Sequence, residues 1–381
     1  MDSSITAPDP LSAVPVSNIK KSSKGYLPQL DSIRAFLIFG VLLSHFAGEN
    51  FASAGIIAII FFFVLSGFLI TQILLKSRYR DDLSGTSRVH SIKQFYVRRF
   101  LRIFPIYYIL LAVLFTVNFQ TTRHDIFWYL TYTSNILYYI NNNFMGLLSH
   151  TWSLSVEEQF YILWPFFMFF LPRKYLLPVM IAAIVTAPIF RAILYSNYLA
   201  TGDSFLLTVL TPSCMDAFGL GGILAYFRLE NKEAFSFKSI LSKVFLIICL
   251  IFFVMLMIPD GILSNILSSF INFGIVQLFF IRLLIAVFAF YVIAKASIGF
   301  KGVLKIILES SALRFIGKIS YGMYLYHPFM YVIYKKLGLP MFSNVFITFC
   351  IYSSMTIIVS TLSWYIIEKP LNGLKKYFAY D

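Results

Sequence analysis

Long apolar runs, separated by short stretches that carry charges, follow one another along most of this 381-residue chain. A helix that crosses a membrane needs about 20 predominantly apolar residues. By that measure the sequence predicts ten spans, at residues 30–48, 55–75, 100–118, 154–172, 175–195, 207–227, 241–258, 270–294, 318–334 and 342–366. The strict alternation of apolar and polar residues that is typical of a membrane β-barrel is absent. We therefore expect an all-α fold, a polytopic transmembrane helical bundle of about ten spans.

The distribution of basic residues supports this topology. With the N-terminus in the cytoplasm, 25 of the 31 Lys and Arg residues fall on cytoplasmic loops and tails. The others divide equally between the outer loops and the spans: Arg123, Lys335 and Lys336 outside, and Arg34, Arg191 and Arg282 within. An excess of Lys and Arg in cytoplasmic loops is the usual signature of orientation. The split predicts that both termini are cytoplasmic.

Composition narrows the class further. Charged residues make up 13% of the chain, whereas about 25% of the residues of a soluble globular protein are charged. Topology accounts for the net charge of +14, so we expect a lipid bilayer and no nucleic acid as partner. The chain divides into a disordered, basic cytoplasmic leader (1–27), one transmembrane domain (28–370) and a short cytoplasmic tail (371–381). No cluster of His, Cys, Asp or Glu has the spacing of metal ligands, so no metal is predicted.

Two ionisable side chains stand out in the first span. Arg34 and His45 are eleven residues apart. On a helix they therefore lie about 20° apart on one face and about 16 Å apart along the axis. Ionisable groups are costly within a membrane and usually mark chemistry or transport. We expect this pair to mark the site of reaction.

Six motifs follow one another in order along the chain. They are LDSIRA at 30–35, which leads to His45, FFFVLSGFLIT at 61–71, RRFLRIFP at 98–105, TWSLSVEEQFY at 151–161, ISYGMYLYHP at 319–328 and IEKP at 367–370. In this order and spacing they resemble acyltransferase family 3 of integral membrane proteins. The resemblance covers residues 28–370, nearly the whole chain.

The resemblance implies an enzyme that moves an acyl group, commonly acetyl, from cytoplasmic acyl-CoA to a hydroxyl, usually of a carbohydrate outside the membrane. For this chain it implies a multi-pass protein of a bacterial inner membrane that acts on O-antigen or another cell-surface polysaccharide. Acyl-CoA is then the donor substrate, and no cofactor is bound permanently.

The family's functional positions map onto motifs of this chain: the arginine and histidine of the first span onto Arg34 and His45, the basic pair onto Arg99 and Arg102, and Trp-Ser-Leu-x-x-Glu onto Trp152 to Glu157. The family often has an arginine two positions before the acidic residue of the sixth span. In this chain the acidic residue is Asp216, and Cys214 stands where the arginine would be. We therefore assign no role to Asp216.

The chemistry of arginine agrees with a site for the acyl donor. CoA carries a 3′-phosphate and a pyrophosphate, and guanidinium groups bind such groups bidentately. Arg99 and Arg102 are three residues apart and share a helix face, with Arg98 beside them. Together with Arg34 they form the expected acyl-CoA-binding set. A plain cluster of charges that sets topology is the alternative, and it is favoured for Arg98 taken alone.

His45 and Glu157 are the expected catalytic residues. His45 fits a general base for the acceptor hydroxyl or a covalent acyl carrier, and the sequence leaves both open. Glu157 fits a group that orients His45, keeps it protonated or binds the sugar. Trp152 and Ser153 are the expected acceptor-binding residues, although Trp152 also fits an anchor at the membrane interface. Glu158 points about 100° away on a helix and is expected to be a bystander.

Two further histidines receive no catalytic role. His150 lies in an outer loop and is expected to be solvated. His327 precedes Pro328, where the backbone is restricted, and a structural hydrogen bond is expected for it.

Two other functions remain open. A transporter without covalent chemistry would use Arg34, His45, Arg191 and Arg282 as an ion or substrate path. An acyltransferase for a small hydroxylated metabolite would work from the cytoplasmic side. The sequence does not determine the acceptor hydroxyl, the acyl chain or the oligomeric state.

Overall fold

A computed structural model describes residues 26–119, 122–142, 146–195, 206–230 and 281–378. These residues form helices and contain no β-strand, which confirms the predicted all-α class. The α-helices are α1 (Pro28–Phe46), α2 (Ala52–Ser84), α3 (Arg88–Thr116), α4 (Ile126–Leu130), α5 (Ser134–Ile140), α6 (Thr151–Phe170), α7 (Leu176–Ile193), α8 (Met215–Glu230), α9 (Arg282–Ile298), α10 (Gly302–Leu308), α11 (Ser311–Tyr326), α12 (Met330–Lys336), α13 (Val345–Ser363) and α14 (Lys369–Gly373).

Part of the predicted membrane topology has a counterpart in these helices. Among the described residues, five helical segments are long and apolar enough to cross a membrane: Pro28–Phe46, Ala52–Ser84, Arg88–Thr116, Arg173–Ile193 and Val345–Phe378. A sixth is added if Arg282–Ile298 and Gly302–Leu308, which meet at 91°, count as one bent span. The total of ten spans and the cytoplasmic location of both termini stay predictions. The seventh predicted span, 241–258, most of the leader and residues 379–381 lie outside the described residues.

Some helix bounds differ from the prediction for local reasons. Helix α2 has 33 residues and, at about 1.5 Å per residue, is longer than the hydrocarbon core of a bilayer is thick. The predicted sixth span begins at 207, but helix α8 begins at Met215, after a 3-10 turn that contains Pro212. The predicted span 318–334 is interrupted by a 3-10 turn, His327–Phe329, where Pro328 lacks the amide hydrogen that a continuous helix needs.

Glycines allow the central helices to pack at close range. A methyl group on Gly67 of α2 would overlap the backbone of Phe218 on α8, and one on Gly317 of α11 would overlap the backbone of Asp31 on α1. Small residues at such crossings let helix backbones approach each other in membrane proteins. Helices α1, α2, α8 and α11 therefore form a compact centre, and the cavities described below lie beside it.

Arginines fix one end of helix α6. Arg78 donates hydrogen bonds to the carbonyl oxygens of Met168 and Leu171 at 2.7 and 2.8 Å. Arg88 donates to the carbonyl oxygen of Phe169 at 2.7 Å. The last carbonyls of a helix have no partner within the helix and favour positive charge. These basic residues thus hold the helix that carries the Trp-Ser-Leu-x-x-Glu motif.

Candidate active site

Helix α1 carries Arg34 and His45 to two different cavities. Arg34 is half-buried and lines a cavity of about 100 Å³, which we call the arginine cavity. His45 is exposed and lines a second cavity of about 490 Å³, which we call the histidine cavity. The two side chains do not share one pocket, although they lie on the same helix about 16 Å apart along its axis.

The arginine cavity brings together most of the site residues that the sequence predicts. Its charged lining residues come from α1, α3 and α6: Arg34, Arg99, Arg102, Glu157 and Glu158. Arg102 lines the cavity, and the residue as a whole is exposed. Three arginines against two carboxyl groups make this cavity suited to an anionic ligand.

Two of these arginines are held by their neighbours. Arg34 Nη1 donates to Asp31 Oδ1 at 2.6 Å, and the hydroxyl of Tyr26 donates to the other oxygen of Asp31 at 2.8 Å. The guanidinium of Arg99 lies 4.8 Å from the centre of the Tyr161 ring, a cation–π distance. These contacts fix the two cations and leave Arg34 further hydrogen-bond donors for a ligand.

Arg98 has a different environment from the pair beside it. Its Nη1 donates to the carbonyl oxygens of Lys375 and Phe378 at 2.8 and 3.0 Å. These contacts join α3 to the C-terminal segment of the chain, and Arg98 does not line the arginine cavity. Its predicted part in acyl-CoA binding stays a prediction.

A hydrogen-bonded chain of three side chains holds Glu157. The hydroxyl of Tyr161 donates to Ser66 Oγ at 2.9 Å, and Ser66 Oγ donates to Glu157 Oε1 at 2.6 Å. A carboxylate that accepts such a bond is fixed in orientation and keeps its second oxygen for another partner. Ser66 and Glu157 are 91 residues apart in sequence, so no local pattern indicates this contact.

The helical angle predicts that Glu158 points away from the site, and the structure places it at the cavity instead. It is 4% exposed and lines the arginine cavity together with Glu157. The cavity has lining residues from α2, α3 and α11 as well as from α6. Two residues of α6 that differ by about 100° in direction therefore both reach it.

Ser153 and Trp152 differ in their access to the cavities. Ser153 lines the arginine cavity, and its Oγ lies 2.6 Å from the hydroxyl of Tyr324. Trp152 is 2% exposed and meets the Phe63 ring edge-on at 6.1 Å between centres. Trp152 lines neither cavity. The acceptor-binding role of both residues stays a prediction.

Three histidines gather beside the second cavity. The ring centres of His45 and His327 are 4.7 Å apart, and those of His150 and His327 are 5.4 Å apart. The expectation that His150 is solvated is wrong, because it is 4% exposed and packs against this cluster. The structural hydrogen bond expected of His327 is present, from Nδ1 to the carbonyl oxygen of Tyr324 at 2.8 Å.

Side chains that line the arginine cavity contact the backbone of a residue that lines the histidine cavity. Tyr324 and Ser153 line the arginine cavity, and their hydroxyl oxygens lie 3.0 and 3.2 Å from the carbonyl oxygen of His150. His150 itself lines the histidine cavity. Tyr324 is 171 residues away from Ser153 in sequence, so no local pattern indicates this contact.

Two of the arginines within the predicted spans lie away from both cavities. Arg191 is fully buried and forms an ion pair with Asp216 at 2.6 Å, which joins α7 to α8. Arg282 begins α9 and is 9% exposed. Asp216 therefore has a structural partner, which the sequence did not indicate. Among the described residues, no group of His, Cys, Asp and Glu is placed to hold a metal ion.

Comparison with known proteins identifies the relatives of this chain. The model of the acyltransferase domain of acyltransferase family 3 matches residues 27–365. The chain is 28% identical over 376 residues to the O-acetyltransferase OatA of Staphylococcus aureus strain NCTC 8325 / PS 47 and, over the same length, to that of strain COL. Each match covers 92% of this chain, which spans 58% of the length of these curated relatives.

No solved structure matches the chain. The family assignment therefore rests on the family model, which extends over α1 to α13 and includes every residue that lines the arginine cavity. The resemblance drawn from six motifs is thereby confirmed: the chain belongs to acyltransferase family 3.

Proposed function

We propose that this protein transfers an acyl group, by default acetyl, from acyl-CoA to a hydroxyl of a carbohydrate. One observation carries the proposal: the two ends of α1 face two cavities of opposite chemical character. One cavity is lined by three arginines, and the other contains His45 and no Asp, Glu, Lys or Arg among its described lining residues. An anionic acyl donor fits the first, and a neutral hydroxylated acceptor fits the second.

The arginine cavity is proposed as the donor site. A volume of about 100 Å³ is below the range of about 300–1,000 Å³ that is typical of pockets for drug-sized ligands. The acyl-pantetheine arm would therefore enter it, while the nucleotide stays at its mouth. Arg102, Arg99 and Arg34 would bind phosphate oxygens through charge-assisted hydrogen bonds.

The histidine cavity is proposed as the acceptor site, with His45 as its reactive group. As a general base, His45 would take the proton of the acceptor hydroxyl while the oxygen attacks the acyl carbonyl. The C–O bond forms, the C–S bond breaks, and the CoA thiolate leaves and takes up the proton. In the alternative, the imidazole first carries the acyl group covalently and then passes it to the hydroxyl.

The remaining predicted residues complete this proposal. Glu157, fixed by Ser66, would bind or orient the reacting groups in the arginine cavity. The acyl group would pass between the cavities at Ser153 and Tyr324, which line the arginine cavity and lie beside the backbone of His150. The excess of basic residues in the loops expected to be cytoplasmic supports a donor site that faces the cytoplasm of a bacterial cell and an acceptor site that faces outward.

The test is release of CoA thiol from acetyl-CoA by the purified protein in lipid, with a panel of sugars as acceptors. We expect turnover by the wild type and by His124→Ala, whose side chain is 89% exposed, and loss of turnover in His45→Ala and Arg102→Ala. Wild-type turnover by His45→Ala would overturn the assigned site. A wild type that binds acetyl-CoA but moves a sugar across the membrane without releasing CoA would overturn the enzyme proposal in favour of transport.

A further inference from the structure

One tyrosine of helix α6 contacts both a cation and a partner of the acid in the arginine cavity. Tyr161 is 5% exposed and follows Glu157 by four residues, so both lie on one face of the helix. It lines the cavity together with Arg99, Ser66 and Glu157. The ring of Tyr161 contacts the guanidinium of Arg99, and its hydroxyl contacts Ser66. A single side chain therefore lies between a predicted donor-binding residue and a predicted catalytic residue.

The hydroxyl of Tyr161 begins a hydrogen-bonded chain that runs in one direction. Ser66 Oγ donates its hydrogen to Glu157 Oε1 at 2.6 Å, so its oxygen is left as an acceptor. The Tyr161 hydroxyl donates to this oxygen at 2.9 Å. Successive hydrogen bonds strengthen one another in a medium of low dielectric constant. Tyr161 therefore reinforces the bond that fixes the carboxyl group of Glu157.

Ser66 needs this support because a serine within a helix has another hydrogen-bond acceptor within reach. Its hydroxyl can turn back and donate to the carbonyl oxygen four residues earlier in the same helix, here that of Phe62 in α2. In that orientation Glu157 would lose the 2.6 Å hydrogen bond. The hydrogen bond from Tyr161 favours the orientation in which Ser66 donates to Glu157. The orientation of the acid thus depends on Tyr161 through Ser66.

The ring of Tyr161 has a separate partner. The guanidinium carbon of Arg99 lies 4.8 Å from the centre of this ring and 5.9 Å from that of the Phe95 ring. A cation–π contact depends on the aromatic ring and needs no hydroxyl. It also uses none of the N–H donors of the guanidinium, which stay available for phosphate oxygens. The ring therefore holds Arg99 for the donor, whereas the hydroxyl serves Glu157.

We propose that Tyr161 is a positioning residue with two separable roles: its ring holds Arg99 for the acyl donor, and its hydroxyl holds the orientation of Glu157 through Ser66. The inference rests on the proposed function and adds to it a residue that acts through its neighbours. Because the two roles belong to different parts of one side chain, loss of the hydroxyl alone slows turnover and leaves donor binding intact. Loss of the ring weakens donor binding as well.

Three single variants separate the two roles. Tyr161→Phe removes the hydroxyl and keeps the ring, so we expect kcat to fall about tenfold, the effect of one hydrogen bond, while the Kd for acetyl-CoA stays within about twofold. Tyr161→Leu also removes the ring, and we expect its Kd to rise about three- to tenfold. Tyr96→Phe is the matched control, because the Tyr96 hydroxyl donates to the carbonyl oxygen of Ile162 on α6 at 2.7 Å and the residue lines neither cavity. This control should change neither constant more than about twofold.

A double variant tests whether the hydroxyl acts through Ser66. If Tyr161 acts on Glu157 through this serine, Tyr161→Phe combined with Ser66→Ala should have the kcat of Ser66→Ala alone, within about twofold. Independent effects would instead multiply to a loss of about 100-fold. In a Ser66→Thr background, which keeps a hydroxyl at this position, Tyr161→Phe should still lower kcat about tenfold.

The experiment measures, for each purified variant in lipid, the Kd for acetyl-CoA by isothermal titration calorimetry and the release of CoA thiol at saturating acetyl-CoA with the panel of sugars. A lower kcat with unchanged Kd in Tyr161→Phe, and a raised Kd in Tyr161→Leu, support the inference. It is overturned if Tyr161→Phe behaves like Tyr96→Phe, if it raises the Kd as much as Tyr161→Leu does, or if its effect multiplies with that of Ser66→Ala. A wild type that binds no acetyl-CoA, or releases no CoA with any sugar, overturns the proposed function and this inference with it, whereas the outcomes in the variants overturn the inference alone.

Discussion

Arg191 and Asp216 form a buried ion pair, so Asp216→Ala tests whether this pair stabilises the helical bundle. The side chains are 0% and 4% exposed, and Arg191 Nη2 lies 2.6 Å from Asp216 Oδ2. The other oxygen of Asp216 accepts a hydrogen bond from the backbone of Ala217 at 2.9 Å, in the first turn of α8. Removal of the carboxylate would leave a guanidinium buried between α7 and α8 without its counter-charge.

The expected size of the effect follows from that burial. Loss of one partner of a buried ion pair costs about 3–5 kcal/mol, whereas replacement of both by apolar residues is often neutral. We therefore expect Asp216→Ala and Arg191→Met each to lower the free energy of unfolding by about 3 kcal/mol. The double variant should lose no more than either single one, which corresponds to a coupling of about 3 kcal/mol.

The assay is unfolding of the protein in lipid–detergent micelles by increasing SDS, followed by circular dichroism. Arg173→Ala serves as the control, because Arg173 and Asp82 form an ion pair whose side chains are 36% and 28% exposed. Pairs that water reaches contribute about 0–1 kcal/mol. Additive losses in the double variant, or single losses no larger than that of Arg173→Ala, would refute a structural role for the buried pair.

Three further predictions address the site and the packing. Arg102→Ala should raise the KM for acyl-CoA about 10- to 100-fold, the loss of one charge-assisted hydrogen bond. The control Arg123→Ala, at an exposed arginine that lines neither cavity, should leave this KM within about threefold; steady-state kinetics measures both. Gly67→Ala should lower the free energy of unfolding in the SDS titration by about 1–3 kcal/mol, because the added methyl group overlaps the facing backbone. In the control Gly373→Ala the methyl group meets no atom within 4 Å, so stability should change by no more than about 0.5 kcal/mol. Ser66→Ala should lower kcat about tenfold, and Ser66→Thr, which keeps the hydroxyl, should retain most of the turnover.

The fold was predictable where hydrophobicity alone decides structure. Apolar runs placed α1, α6 and α7 within a few residues of their observed bounds. Helix α2 continues to Ser84, past the end of its apolar run, because a helix can extend into water on polar residues that a hydropathy criterion ignores. The sequence contains the proline at which the helix breaks, Pro328. Because proline within a membrane span is often tolerated, its presence alone does not predict a break.

The sequence predicts the site only where residue spacing indicates that two side chains share one face of a helix. Arg99 and Arg102 share a face of α3, and both line the arginine cavity. The position of Glu158 was missed because a helical angle does not indicate which helices surround a residue. The position of His150 was missed because the sequence of a loop does not indicate which helices cover it. Tyr324 was missed because its contact with Ser153 joins α11 to α6 across 171 residues, and a contact between distant helices leaves no periodic signal in the sequence.

The central claim is that acyl donor and acyl acceptor enter from opposite faces of the membrane into the arginine cavity and the histidine cavity. Transfer in sealed proteoliposomes tests it most directly, with acetyl-CoA and a labelled neutral glycoside placed on the same or on opposite sides. The account predicts acetylated sugar only when the two substrates are on opposite sides, and none from His45→Ala. Product formed with both substrates outside, and none when the membrane separates them, would contradict it.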